Sequence, residues 1–276
     1  MNKAWLLLLT LAFAPLAANA ADMGMMRGGF GFLYPDNNGV SSDGSGDNFT
    51  NSSMLASSMG TAIQAEYLNE GSGLKSVAPS LVYGNGKFGL GVFGARGGSD
   101  LTTSGQYTDE VGVGLGVGLI KDHLNFGVGY SRVISGNQTN SGDVQADLTL
   151  MGGKDKGASV GVGVNTTLGQ KVGSNVMGGT AGVGYSFKKG TSVEANIHFN
   201  DVNNTSDYDL DAFFNLSSQM VYFSAGAGYM ALPKWTDAEA RLGFVLGKNF
   251  DLSGMVRKIF ATGTDLQYGA SLRVML

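Results

Sequence analysis

The chain has 276 residues, 45 glycines, four prolines, no cysteine and a formal net charge of −4. Without cysteine no disulfide staples it, and the weak acidic balance, with lysine and arginine scattered among turns and strands, excludes a nucleic-acid-binding face. A glycine-rich composition with only 14 % charged residues suits closely packed strands better than a helical or disordered chain.

In chain order, Met1 to Lys3 give a short basic start, Ala4 to Leu16 an apolar run, and Ala18, Asn19 and Ala20 a small-residue cleavage pattern. This predicts a signal peptide over residues 1–20 and a mature chain starting at Ala21, because the apolar run is too short for a stable membrane-spanning helix. No later stretch is long and apolar enough to span as a helix. Residues 21–58 do not read as strand. Arg27 to Gly31 is glycine-rich, Tyr34 to Gly39 signals a turn, and Ser41 to Asn48 is a polar loop ahead of Met54 and Leu55. The expectation for this segment is a plug reaching into a barrel from the periplasmic end.

From Thr61 to Leu276 the dominant pattern is a two-residue alternation of apolar side chains with glycine or polar ones. Val111, Val113, Leu115, Val117 and Leu119 alternate with Gly112, Gly114, Gly116 and Gly118. That period places one set on each face of a strand, and its repetition without helical pattern predicts one continuous antiparallel sheet. Segments of roughly ten residues, as a tilted membrane crossing requires, begin near Thr61, Val77, Lys87, Glu110, His123, Val144, Ala158, Val176, Ser192, Asp207, Met220, Asp237, Asn249 and Leu266. The expected fold is all-β: a transmembrane antiparallel barrel of about fourteen strands, with an allowance of about two either way, over residues 59–276. A soluble β-sandwich or an exported β-solenoid is the alternative, but its outer face would carry more charge than these glycine rows.

Connection lengths support the barrel. Short turns at Gly84 to Lys87, Lys121–Asp122, Gly152 to Lys156, Lys188 to Gly190, Asn215 to Gln219 and Gly247 to Asn249 alternate with mostly longer polar loops, including Arg96 to Asp109, Ile134 to Gly142, Thr166 to Ser174 and Asp201 to Asp207. Short periplasmic turns and longer outer loops are the outer-membrane pattern, and an even strand count returns both termini to the periplasm. Aromatics such as Tyr67, Tyr83, Tyr130, Tyr185, Phe187 and Tyr268 fall near strand ends on the apolar parity, where a girdle would place them.

The same parity sorts the final strand into Leu266, Tyr268, Ala270, Leu272, Val274 and Leu276 toward lipid and Gln267, Gly269, Ser271 and Arg273 toward the lumen. It also turns Glu66, Asp147, Glu194, Asn196, His198, Asp211, Glu239, Arg241 and Arg257 inward. An Arg on the lipid face at mid-depth costs roughly 2–4 kcal/mol, so this sorting fixes the register. Many remaining inward positions are glycine, which leaves lumen space or admits a close-lying plug.

A segment of plug size followed by about fourteen strands resembles the FadL family of outer-membrane transporters for long-chain fatty acids and other hydrophobic compounds. Asn51, Ser52, Ser53, Met54, Leu55 and Ala56 stand where that family often has an Asn-Pro-Ala-Gly-Leu motif; Asn51 and Leu55 match and the proline is absent. The run Ala78 to Leu81 and Lys87 to Val92 is similar to that family's entry into its second and third strands. The chain is short for the family, with smaller outer loops. The resemblance implies passive uptake of hydrophobic molecules: capture outside, entry into the lumen, and exit sideways through the barrel wall. Gly94, Gly97 and Gly98, around Arg96, are the candidate wall kink, since glycine tolerates a bulge; the simpler reading is the start of an outer loop.

The expected partners are outer-membrane lipid, a hydrophobic small-molecule solute, and the barrel-assembly machinery acting on the C-terminal strand. No cofactor is expected. The competing function is a general or ion-selective porin in which Glu66, Asp147, Glu194, Asp211, Glu239, Arg241, Arg257 and Arg273 line a wet pore. A structural or adhesive barrel filled by these groups as ion pairs is the third reading, although fourteen strands enclose more room than side chains readily fill. An enzyme is not expected, because His123 borders a turn and His198 sits in an inward row with Glu194 and Asn196. A calcium loop starting at Asp43 fails, with Met54 at its twelfth position. The Gly-x-Gly stretches lack the strand-to-helix context of a phosphate loop.

Overall fold

The computed structural model describes residues 16–17, 51–57 and, with breaks confined to turns and loops, 59–276. Fourteen strands form the barrel: β1 (Met59–Gly71), β2 (Leu74–Asn85), β3 (Phe88–Gly98), β4 (Tyr107–Ile120), β5 (Leu124–Ser135), β6 (Gly142–Met151), β7 (Gly157–Leu168), β8 (Met177–Lys188), β9 (Thr191–Phe199), β10 (Tyr208–Ser217), β11 (Val221–Met230), β12 (Trp235–Leu246), β13 (Phe250–Ile259) and β14 (Leu266–Met275). Each expected strand start lies within three residues of an observed one. Every strand pairs antiparallel with its chain neighbours, and β14 pairs with β1 from Tyr268 opposite Asn69 to Met275 opposite Ala62. The meander therefore closes and leaves no free edge.

Alternation decides the two faces. On β14, Leu266, Tyr268 and Leu272 are about half exposed on the outer surface, whereas Gln267, Ser271 and Arg273 are 6–8 % exposed. The same holds around the ring, so valine, leucine, phenylalanine and tyrosine side chains form a continuous outer belt. An apolar surface of that extent is the outward face of a barrel in hydrocarbon rather than in water. It removes the sandwich reading, in which this row would be buried.

The ends of the barrel differ. Turns between β2 and β3, β4 and β5, and β12 and β13 are tight, with Gly86 and Gly247 at φ of 79° and 74°, a backbone conformation that favours glycine. Both ends of the barrel segment, Met59 and Met275, lie at this short-turn end. At the opposite end, the β3–β4 connection is shorter than its sequence boundaries, because β3 continues through Gly98 and β4 starts at Tyr107. Arg96 lies within β3 rather than in the loop. Its Nε donates to Asp109 at 3.0 Å, an Nη donates to the Leu101 carbonyl at 3.0 Å, and its guanidinium stacks 3.7 Å from the Tyr107 ring centre.

Ahead of the barrel, Ser52–Ser57 forms a short 3-10 helix. Within the stretch read as a leader, Leu16–Ala17 pairs with Glu110 and Thr108 of β4. Residues 21–50, including the Arg27–Gly31 and Ser41–Asn48 segments, lie outside the described residues.

Candidate functional site

The interior of the barrel has two unlike walls. One is a bed of glycine. On β3, β4 and β5 the inward positions Gly89, Gly116, Gly127 and Gly129 lie directly beneath residues 52–56. A Cβ at Gly89 would fall 1.9 Å from the Leu55 carbonyl oxygen, at Gly116 2.6 Å from the Ala56 nitrogen, and at Gly127 2.1 Å from the Ser53 nitrogen. The short helix is thus seated backbone-to-backbone, and only glycine permits that approach.

Polar groups of β6 fasten the same segment. The Ser52 N–H donates to Asp147 Oδ2 at 2.8 Å and Gln145 Nε2 donates to Ser52 Oγ at 2.8 Å. Asn51 Nδ2 donates to Thr149 Oγ1 at 3.0 Å, Ser53 Oγ lies 2.8 Å from the same hydroxyl, and Asn125 of β5 donates to Ser57 Oγ at 2.9 Å. Asn51 Oδ1 in turn accepts from the N–H and Oγ of Ser53, at 3.2 and 2.6 Å. Leu55 is completely buried. Residues 51–57 therefore occupy the bore against β3–β6, on the short-turn half of the barrel.

The opposite wall is charged. Across β8 to β10, His198 places Nε2 2.7 Å from Asp211 Oδ2 and Nδ1 3.1 Å from Thr180 Oγ1, and Asn196 donates to Glu194 at 2.6 Å and to Asp211 at 2.7 Å. Both imidazole nitrogens are occupied within the wall. Across β12 to β14, Arg257 pairs with Asp237, and Arg273 donates to Asp251 at 2.7 Å. Arg241 lies 4.0 Å from Glu66 of β1, which also accepts from Gln64 at 3.2 Å. Arg257–Asp237 and Arg273–Asp251 link adjacent strands, whereas Arg241–Glu66 reaches from β12 to β1 past β13 and β14, so these charges brace the wall both along and across its strands. Glu239 is 6 % exposed, and neither of its oxygens accepts a hydrogen bond among the described residues.

Inward aromatics are kept off the bore by a separate device. Phe93, Phe213 and Tyr222 each stand directly opposite a glycine on the next strand: Gly112, Gly226 and Gly243. Each ring lies flat over its partner, such that a Cβ on Gly243 would meet Tyr222 Cζ at 1.9 Å and one on Gly226 would meet Phe213 Cδ1 at 2.1 Å. Covering glycine with a cross-strand ring pins register in curved sheets. The Tyr222 hydroxyl also donates to Asp251 at 2.9 Å.

The ladder lapses between two strands of the wall. Between β2 and β3, Ser80 pairs with Phe93 and Val77 with Arg96 in one register, yet the two intervening pairs, Ala78 with Ala95 and Pro79 with Gly94, are not formed. Pro79 has no N–H to contribute to a ladder. Behind this gap the inward row of β3, comprising Gly89, Gly91, Phe93, Ala95 and Gly97, carries no polar side chain, and the inward row of β2 holds Ser76, Ala78, Ser80 and Val82. Of the expected kink glycines, Gly94 lies at the gap, while Gly97 and Gly98 are paired to both neighbours.

The structure thus places Glu194, His198 and Asp211 in one wall network and Glu66, Glu239, Arg241, Arg257 and Arg273 along the adjoining strands. Asp147 lies apart from them, on the wall that holds residues 51–57 together with Asn51 and Leu55. Sequence reasoning missed Asp237, Asp251 and Tyr222. The first two share strand parity with Glu239 and Arg257, a signal already present in the alternation. His123 sits at an exposed turn with Nδ1 3.1 Å from the Met151 carbonyl oxygen. Among the described residues no cluster of three or more His, Asp or Glu side chains is arranged for a metal ion.

No protein-family model matches the chain, and no curated protein matches it. Solved structures do. The chain is similar to the "CymD monoaromatic hydrocarbon channel" with a TM-score of 0.61 at 12% sequence identity, covering 96% of this chain and 99% of that one. It is also similar to the Acinetobacter baumannii outer membrane protein Omp33, with a TM-score of 0.53 at 8% identity, covering 79% of this chain and 98% of that one. At these identities the likeness is one of fold: a closed antiparallel membrane barrel.

Proposed function

We propose that the protein is a passive outer-membrane channel for small hydrophobic molecules, which leave the bore sideways between β2 and β3 by a FadL-like route. The observation that carries this reading is the unformed pairing at Ala78–Pro79 and Gly94–Ala95, where the two strands lack ladder hydrogen bonds beside the inward row of β3, which has no polar side chain. A hydrophobic solute gains nothing by continuing into water, whereas passage through the wall delivers it to hydrocarbon. Residues 51–57 support the route by occupying the bore on its short-turn half, where an axial path would run. In this reading residues 51–57 act as a plug on that path. The hydrocarbon channel to which the chain is similar over nearly its whole length supports the same solute class.

A diffusion porin is the second reading, favoured by the charged wall of β9–β14. Single-channel conductance in planar bilayers separates the two. The hydrophobic channel conducts negligibly when intact and strongly when residues 21–58 are deleted. A stable ohmic conductance in the intact protein would establish the porin instead. In parallel, cells expressing the chain should take up labelled ethylbenzene or decanoate faster than cells lacking it.

A further inference from the structure

A recess of about 40 Å³ opens at the long-loop half of the bore, between β9 and β13. It is lined by four carboxylates, Asp209, Asp211, Asp237 and Glu239, but only two basic side chains, His198 and Arg257, with the Phe213 ring beside them. The basic groups are already engaged: Arg257 pairs with Asp237, and His198 pairs with Asp211. Glu239 differs from its neighbours. It is nine-tenths buried, lines the recess and accepts no hydrogen bond among the described residues. Arg257 is its register partner on β13 and Arg241 stands two positions along β12, but neither donates a hydrogen bond to it. A buried carboxylate in that state has acceptor capacity that nothing in the protein uses.

We propose that this recess is a binding subsite for the protonated amine of a small solute entering from the long-loop end. The excess of carboxylate over basic groups selects a cation, and an ammonium supplies the N–H donors that Glu239 lacks. The volume admits such a group, since a single water molecule needs about 10–15 Å³ of such space. Phe213 lies flat on Gly226 and presents its ring at the recess, which favours a cationic or aromatic neighbour. An anion entering the same space meets four carboxylates. The subsite does not depend on the lateral route, because it requires only binding.

The test is calorimetric titration of the full-length barrel in detergent micelles with benzylammonium, and with benzyl alcohol and benzoate as uncharged and anionic counterparts of the same size. Benzylammonium is expected to bind at least tenfold more tightly than benzyl alcohol, and benzoate no more tightly than benzyl alcohol. Glu239→Gln, which keeps the shape and removes the charge, should abolish the preference for benzylammonium. Asp209→Asn, at a half-exposed position, provides a second variant that does not perturb a buried site and should reduce the preference. Equal binding of benzylammonium and benzyl alcohol to the unaltered protein overturns the proposal, as does a preference that survives both substitutions. If Glu239→Gln does not fold, as judged by heat-modifiable migration, an undiminished preference in Asp209→Asn overturns it and a reduced one supports it.

Discussion

Gly127 lies directly beneath Ser53, so close that a Cβ on the glycine would stand 2.1 Å from the Ser53 backbone nitrogen. The glycine rows of β3–β5 are therefore more than strand filler: they are the seat on which the segment preceding the barrel rests. Because the atom met is backbone, a side chain there cannot be accommodated by a rotamer change. Gly127→Ala should unseat residues 51–57 while leaving the closed ladder intact, at a cost of about 1–3 kcal/mol for overpacking. Hydrogen exchange at residues 51–57 should rise, with the strands still protected; unchanged exchange would show that the segment is held elsewhere.

The seat is fastened chiefly from β6. Asp147→Ala removes the acceptor of the Ser52 N–H and leaves that buried donor unsatisfied, which costs roughly 1–3 kcal/mol. The variant should raise single-channel conductance relative to the parent, and Asp147→Asn, which keeps an acceptor oxygen, should raise it less. Equal conductance in all three proteins would separate Asp147 from control of the bore.

Tyr222 over Gly243 makes a different prediction, because the atom that a new Cβ would meet is the far end of a side chain that can swing away. Gly243→Ala should push the ring off the wall into the bore and break its hydrogen bond to Asp251, a loss of about 1 kcal/mol. Adding Tyr222→Ala should relieve the crowding. Urea unfolding of the single and double variants tests this, since the double should lose less than the sum of its two singles.

The outward register is tested by charge. Leu272→Arg places a guanidinium on the lipid face of β14 and should destabilise the folded barrel in bilayers by roughly 2–4 kcal/mol. Ser271→Arg, one position away and inward, should cost less. Comparable losses would mean that the two faces are not distinguished by solvent.

How much of this was legible beforehand depends on what a period of two encodes. Alternation places each residue on a face, so Leu266 to Met275 read correctly in strand limits and in sidedness, and Arg241, Arg257 and Arg273 turned inward as the parity required. It does not say what lies above an inward glycine. Gly127 beneath Ser53 and Gly243 beneath Tyr222 are indistinguishable as letters, because the difference is made by the neighbouring strand or by a segment distant in the chain. The wall gap shows the same limit. Glycine content pointed to residues 94–98, but the unpaired stretch is set jointly by Pro79 on β2 and Gly94 on β3, residues brought together only by register. Asp237 and Asp251 were within reach of parity and were missed because they stand close to expected strand starts, where face assignment is least constrained.

Exit through the wall between β2 and β3 can be tested directly, because the sequence contains no cysteine. Ala78→Cys with Ala95→Cys puts a thiol pair across the unformed step of the ladder, and Ala146→Cys with Val164→Cys, register partners in a continuous part of the wall, serves as control. The measurement is uptake of labelled ethylbenzene or decanoate by cells expressing each variant, before and after oxidation. Oxidation should stop uptake in the first variant, reduction should restore it, and the control should be unaffected. Undiminished uptake through a barrel verified as cross-linked at Ala78 and Ala95 would contradict lateral exit at this site.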